Sequence, residues 1–116
     1  MQKVNLTREF DLLDQYWSPT VVGELNGQYV KIAKVRGEFI WHHHESEDEL
    51  FLVVMGRLTM KLRDQDVNLE EGEIFIVPRG VEHKPVAEEE AHILMFEPQS
   101  TLHTGNVGNQ MTIQNP

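Results

Sequence analysis

The chain has 116 residues, 40% of them hydrophobic, no cysteine and a formal net charge of −9. That length allows one domain with one core. The missing cysteines exclude disulfides, thiolate ligands and a cysteine nucleophile, and the acidic balance argues against nucleic acid, which needs a basic face. No apolar run reaches the length of a membrane span, and Met1-Gln2-Lys3-Val4 does not lead into a signal-peptide core. No membrane association and a cytoplasmic location are therefore expected.

Leu6 to Tyr16 carries Phe10, Leu12, Leu13 and Tyr16 behind a candidate N-cap at Thr7, which predicts a short helix. Ser18-Pro19 ends it, because the residue before a proline resists helix. From Thr20 onward the chain reads as strands. Val21–Leu25 and Gln28–Val35 flank Asn26-Gly27, a strong hairpin signal. Phe39–His44 and Leu50–Met55 follow. After Gly56, the residues Leu58, Met60 and Leu62 alternate with Thr59, Lys61 and Arg63, giving one dry face and one polar face. Val67–Leu69 comes next. Ile74–Val77 is apolar on both faces and is expected to be central, and Glu82–Val86 and Ala91–Phe96 complete the set. So many short strands with turns between them predict an all-β sandwich or barrel, the jelly roll among the candidates. Pro98 to Pro116 is rich in Asn, Gln, Thr and Gly and reads as a loop, a partner-dependent arm or a partly disordered tail.

The densest chemistry lies in Trp41-His42-His43-His44-Glu45-Ser46-Glu47-Asp48-Glu49, with His83 following 34 residues after Glu49. Residues two apart on a strand share a face, so His42 and His44 point together and His43 points away. A turn after His44 brings Glu49 beside them, and His83 arrives from elsewhere in the sheet. Three imidazoles and one carboxylate suit one divalent ion such as iron, manganese, nickel, cobalt or zinc. Four protein ligands leave up to two open positions on an octahedral ion, where substrate or water binds. The other acidic residues of this stretch, and Glu88 to Glu90, read as solvated rims. His92 and His103 read as structural or exposed. Phe39, Trp41, Phe51, Phe75 and Phe96, with Met55, Met60 and Met95, read mainly as core. Arg79, next to the His83 turn, is a candidate anion contact.

These residues resemble the cupin family. Its first motif is matched by Gly37, His42-x-His44, four residues, Glu49, six residues and Gly56. Its second is matched by Gly72, five residues, Pro78-x-Gly80, two residues, His83, three residues and Ala87. Fifteen residues separate the motifs. Gly37 stands one residue closer to the first histidine than in the family pattern, and Ala87 replaces the family's terminal Asn. The resemblance implies a cupin-type double-stranded β-helix, or jelly-roll barrel, over residues 20–97. A short helix or arm over 1–19 precedes it and a tail over 98–116 follows. It also implies His42, His44, Glu49 and His83 as metal ligands, and a homodimer. The expected function is that of a metal-dependent enzyme on a small organic metabolite, of dioxygenase or of sugar isomerase or epimerase type. A module that binds or senses a small molecule such as a sugar and leaves it unchanged is the alternative.

Overall fold

The computed structural model describes residues 1–101 and 104–106. One helix, α1 (Leu6–Asp11), precedes seven strands: β1 (Thr20–Leu25), β2 (Gln28–Glu38), β3 (Glu49–Met55), β4 (Leu58–Leu62), β5 (Asp66–Leu69), β6 (Ile74–Val77) and β7 (His83–Pro98). All strand pairings are antiparallel, in the order β1-β2-β7-β3-β6, with β4 joining both β5 and β7. The long strand β7 ties the barrel together. Its first part pairs with β4, and its second part lies between β2 and β3. The result is the expected jelly-roll barrel. Among the described residues no helix is long and apolar enough to cross a membrane.

Local chemistry accounts for the elements. Asn26 and Gly27 both take positive φ, 52° and 78°, the turn that matches the right-handed twist of the flanking strands β1 and β2. On β7 the residues Ala91, Ile93 and Met95 point inward, and on β3 Phe51 and Val53 do the same. With Ala33, Val35, Leu58 and Met60 they form one buried cluster. Strand alternation thus produces the core.

Several expectations need correction. The helix is capped by Asn5, whose side chain accepts from the Arg8 amide, rather than by Thr7, and it ends at Asp11 rather than Tyr16. Phe39–His44 is not a ladder strand: β2 ends at Glu38, and His42 makes only an isolated bridge to His83. The two segments expected at Glu82–Val86 and Ala91–Phe96 are one strand that begins at His83, because Glu88-Glu89-Glu90 stay extended. Ile74–Val77 is not central. It ends the sheet path, with Ile74 and Ile76 exposed and Val77 buried. Met55 is exposed, and Phe96 is only half-buried.

The arm before β1 packs on the outer face of β2 and β7. Phe10 is 2% exposed and stacks on the His92 ring at 4.6 Å. Lys34 Nζ donates to the Leu13 carbonyl at 2.8 Å, and Tyr16 bridges to Lys34. Truncation of a buried phenylalanine costs on the order of 3 kcal/mol. Phe10→Ala is therefore expected to lower the urea midpoint by about that energy with an unchanged slope. A loss under about 1 kcal/mol would show that the arm is not part of the cooperative unit.

Candidate metal centre

Main-chain pairing assembles the site. The His42 amide donates to the His83 carbonyl at 3.1 Å, and the His83 amide donates back to the His42 carbonyl at 2.9 Å. The Gly80 amide donates to the His44 carbonyl at 2.7 Å. Glu49 opens β3, opposite Val77 of β6. His42, His44, Glu49 and His83 are all buried, from 0% to 4% exposed, whereas His43 is half-buried. The alternation expected for 42 to 44 therefore holds although the segment is not a regular strand.

One ligand atom from each of the four residues lies within 4.8 Å of the others. Glu49 Oε1 is 3.2 Å from His44 Nε2 and 3.5 Å from His83 Nε2. The Nδ1 atoms of His42 and His83 each lie 2.9 Å from a carbonyl, of Ile40 and Val81. A carbonyl only accepts, so each Nδ1 carries the proton and donates, which leaves each Nε2 as a lone pair aimed at the centre. His44 Nε2, His83 Nε2 and Glu49 Oε1 are buried without a hydrogen-bond partner. Buried polar atoms are costly unless satisfied. A borderline divalent cation fits this donor set, and the four residues could hold one.

The electrostatics agree with that role. Burial, reinforced by the neighbouring His83, pushes the His42 imidazole down to about 4, so it is neutral at ordinary pH. Burial opposes ionisation of Glu49. The Glu97 carboxyl and the His44 and His83 rings beside it outweigh that penalty and hold the Glu49 carboxyl well below its usual range. Burial and the charge of Glu49 push the Glu97 carboxyl well up.

Lys31 and Glu97 are the functional candidates that the sequence reading missed. Both side chains are fully buried, with Lys31 Nζ 3.1 Å from Glu97 Oε1. The signal was available: Glu97 continues the inward register of Ala91, Ile93 and Met95, and Lys31 shares that of Ala33 and Val35. Charges on a core-facing register stand out.

The remaining candidates fall outside the centre. Arg79 binds Asp48 through its main-chain amide and its guanidinium, and both side chains are exposed. Trp41 sits at the rim beneath the Arg63 guanidinium, 3.9 Å from its ring centroid. His92 hydrogen-bonds Glu90 at 2.8 Å. His103 lies outside the described residues. Part of the tail does approach the site. The Asn106 amide donates to the His43 carbonyl at 2.9 Å, and the His43 amide donates to Asn106 Oδ1 at 2.8 Å. Gly105 must be glycine there: its φ is +58°, and a Cβ would lie 2.3 Å from the His43 carbonyl oxygen.

Phe39, Phe51, Trp17, Pro19, Ile93 and Met95 wall a pocket that opens onto His42 and Glu49. Trp17 stacks on Phe39 at 4.9 Å. The cavity is about 30 Å³, enough for a water or two.

Comparison with known proteins agrees with the fold. The Cupin domain family model, Cupin_2, matches residues 28–97. This chain belongs to the cupin family. The crystal structure of a cupin-2 domain protein from Shewanella frigidimarina NCIMB 400 is 46% identical, with a TM-score of 0.81, over 82% of this cupin and 93% of that chain. The uncharacterized protein YdbB of Bacillus subtilis (strain 168) is 34% identical over 64 residues, 54% of this chain and 57% of YdbB. The 3-hydroxyanthranilate 3,4-dioxygenase of Xenopus tropicalis is 30% identical over 101 residues, 81% of this chain but only 36% of the dioxygenase.

A pH dependence follows for the metal-free protein. Unfolded, His42 titrates near 6.5; folded, near about 4. Between these values the unfolded chain binds a proton that the folded one refuses, so stability falls as pH drops through that window, by on the order of 3 kcal/mol. Glu49, whose folded value is depressed, adds a loss only at lower pH. Urea midpoints of the metal-free protein are expected to fall from pH 6.5 to pH 4 more steeply than those of His42→Gln. Parallel profiles would contradict the assignment.

Proposed function

We propose that this cupin is a mononuclear metal-dependent enzyme of dioxygenase type. Its ligands would be His42, His44, Glu49 and His83, and its substrate a small uncharged aromatic or similarly apolar molecule. The observation that carries this reading is the join between the four-residue donor set and an apolar, aromatic-walled pocket. Among the described lining residues there is no Lys or Arg. Iron(II) in such a site would supply the redox chemistry and the open coordination positions that dioxygen activation needs.

The chain's own residues would do the rest. Nδ1 donation to the Ile40 and Val81 carbonyls fixes two rings with their free nitrogens inward. The aromatic wall keeps water out and orients a flat substrate. Since the cavity is about 30 Å³, a ring can enter only if the Trp17–Phe39 stack moves. Similarity to a 3-hydroxyanthranilate 3,4-dioxygenase supports the reaction type. A carboxylate-bearing substrate is disfavoured here, because no cation in the lining could pair with it. A sugar-phosphate isomerase reading is weaker for the same reason: Arg79, the one candidate anion contact, is committed to Asp48.

Protein loaded with iron(II) under anaerobic conditions should consume dioxygen with at least one member of a panel of catechols, aminophenols and hydroquinones, one dioxygen per ring lost. His83→Ala should show only background uptake. If no panel member is consumed, yet one raises the melting temperature and is recovered unchanged, the protein is a binding module instead.

A further inference from the structure

We propose that Lys31 and Glu97 are positioning residues for the metal centre: together they hold the Glu49 carboxylate in the orientation that meets His44 and His83. The inference rests on the metal-site reading above and extends it to two residues outside the motif. Register makes the contact. Leu50 pairs with Phe96 across β3 and β7, so Glu49 and Glu97, each the next inward residue, are cross-strand neighbours. Both are buried, at 2% and 1% exposed, so the two carboxyl groups share the barrel interior, and the charge of Glu49 bears on Glu97. On the other flank of β7, Tyr29 pairs with Glu97 and Lys31 with Met95, so Lys31 reaches Glu97 diagonally. Its Nζ lies 3.1 Å from Glu97 Oε1 and 3.4 Å from the carbonyl of Thr101, a fully buried residue just after β7. Glu97 is thus held between an anchored ammonium and the ligand carboxylate.

Stability does not account for this arrangement. Taking an ammonium and a carboxyl group out of water is costly, and an apolar pair of similar volume usually serves a core as well or better. Both side chains are 0% exposed. What the pair does, and what an apolar pair would not do, is fix a neighbouring carboxylate. Partners that orient a metal ligand contribute about 10- to 100-fold to metal affinity in general.

The test uses cobalt(II) as probe, with affinity read by calorimetry and ligand geometry by the visible absorption spectrum, beside melting of the metal-free protein. Lys31→Met with Glu97→Leu should leave the metal-free melting temperature unchanged or raised. It should weaken cobalt binding about tenfold or more and alter the spectrum. Glu97→Ser, too short to reach Glu49 but leaving room for water beside Lys31, should weaken it similarly and decides the matter if the double variant does not fold. Glu97→Gln can reproduce both contacts, its oxygen accepting from Lys31 and its nitrogen donating to Glu49, so it should stay close to wild type in affinity and spectrum. Wild-type affinity and spectrum in the double or Ser variant would overturn the proposal. So would a loss in Glu97→Gln as large as theirs, which would assign the effect to core packing. Wild-type protein that binds no cobalt would refute the metal site itself, and this inference with it.

Discussion

The two reciprocal main-chain hydrogen bonds between His42 and His83 are the constraint on which the site depends. They join residues 41 positions apart in the chain, one just beyond β2 and one at the start of β7. Neither segment could present its imidazole usefully alone. The bridge sets the two rings 4.2 Å apart between centroids, and Nδ1 donation from each to a nearby carbonyl turns both Nε2 atoms inward. Because main-chain groups form the bridge, the placement does not rely on the imidazoles attracting each other. Ligand atoms of three histidines and a carboxylate crowded together are not a favourable arrangement in themselves; a shared cation makes them one.

Around that bridge the barrel separates two environments. On one side the rings meet an apolar wall of Trp17, Phe39 and Phe51 that supplies no charge. On the other side Glu49 meets Glu97 and, through it, Lys31. Apolar burial on the first side serves access and exclusion of water. The buried Lys31 and Glu97 on the second side are costly to maintain, a cost that the proposed positioning of Glu49 would offset. The acidic rim formed by Glu45, Glu47 and Asp48 belongs to neither environment. Asp48 is spent on Arg79, and Glu45 and Asp48 are exposed.

The sequence made the donor set legible because its information is local: a two-residue spacing places His42 and His44 on one side whether or not a ladder forms. Hairpin chemistry at Asn26-Gly27 was readable for the same reason, being set by two residues. The rest depended on neighbours. Ile74 and Ile76 look like core residues by composition, and only their place at the end of the sheet path explains their exposure. Glu88-Glu89-Glu90 read as a solvated rim between two separate strands, yet pairing of β7 with β2 on either side keeps the strand continuous. Lys31 and Glu97 could have been found by following strand alternation through charged positions. Their link to Glu49, however, needs the register of β3 against β7, which no single segment encodes.

X-ray absorption at the metal edge of protein reconstituted with one equivalent of iron(II) or zinc tests the central claim most directly. The account predicts one ordered site with imidazole scattering from three histidines and a carboxylate oxygen, at about 2.0 to 2.2 Å for zinc, and its disappearance in His83→Ala. An ion surrounded only by oxygen in both proteins would mean that the acidic rim, not the barrel interior, collects the metal.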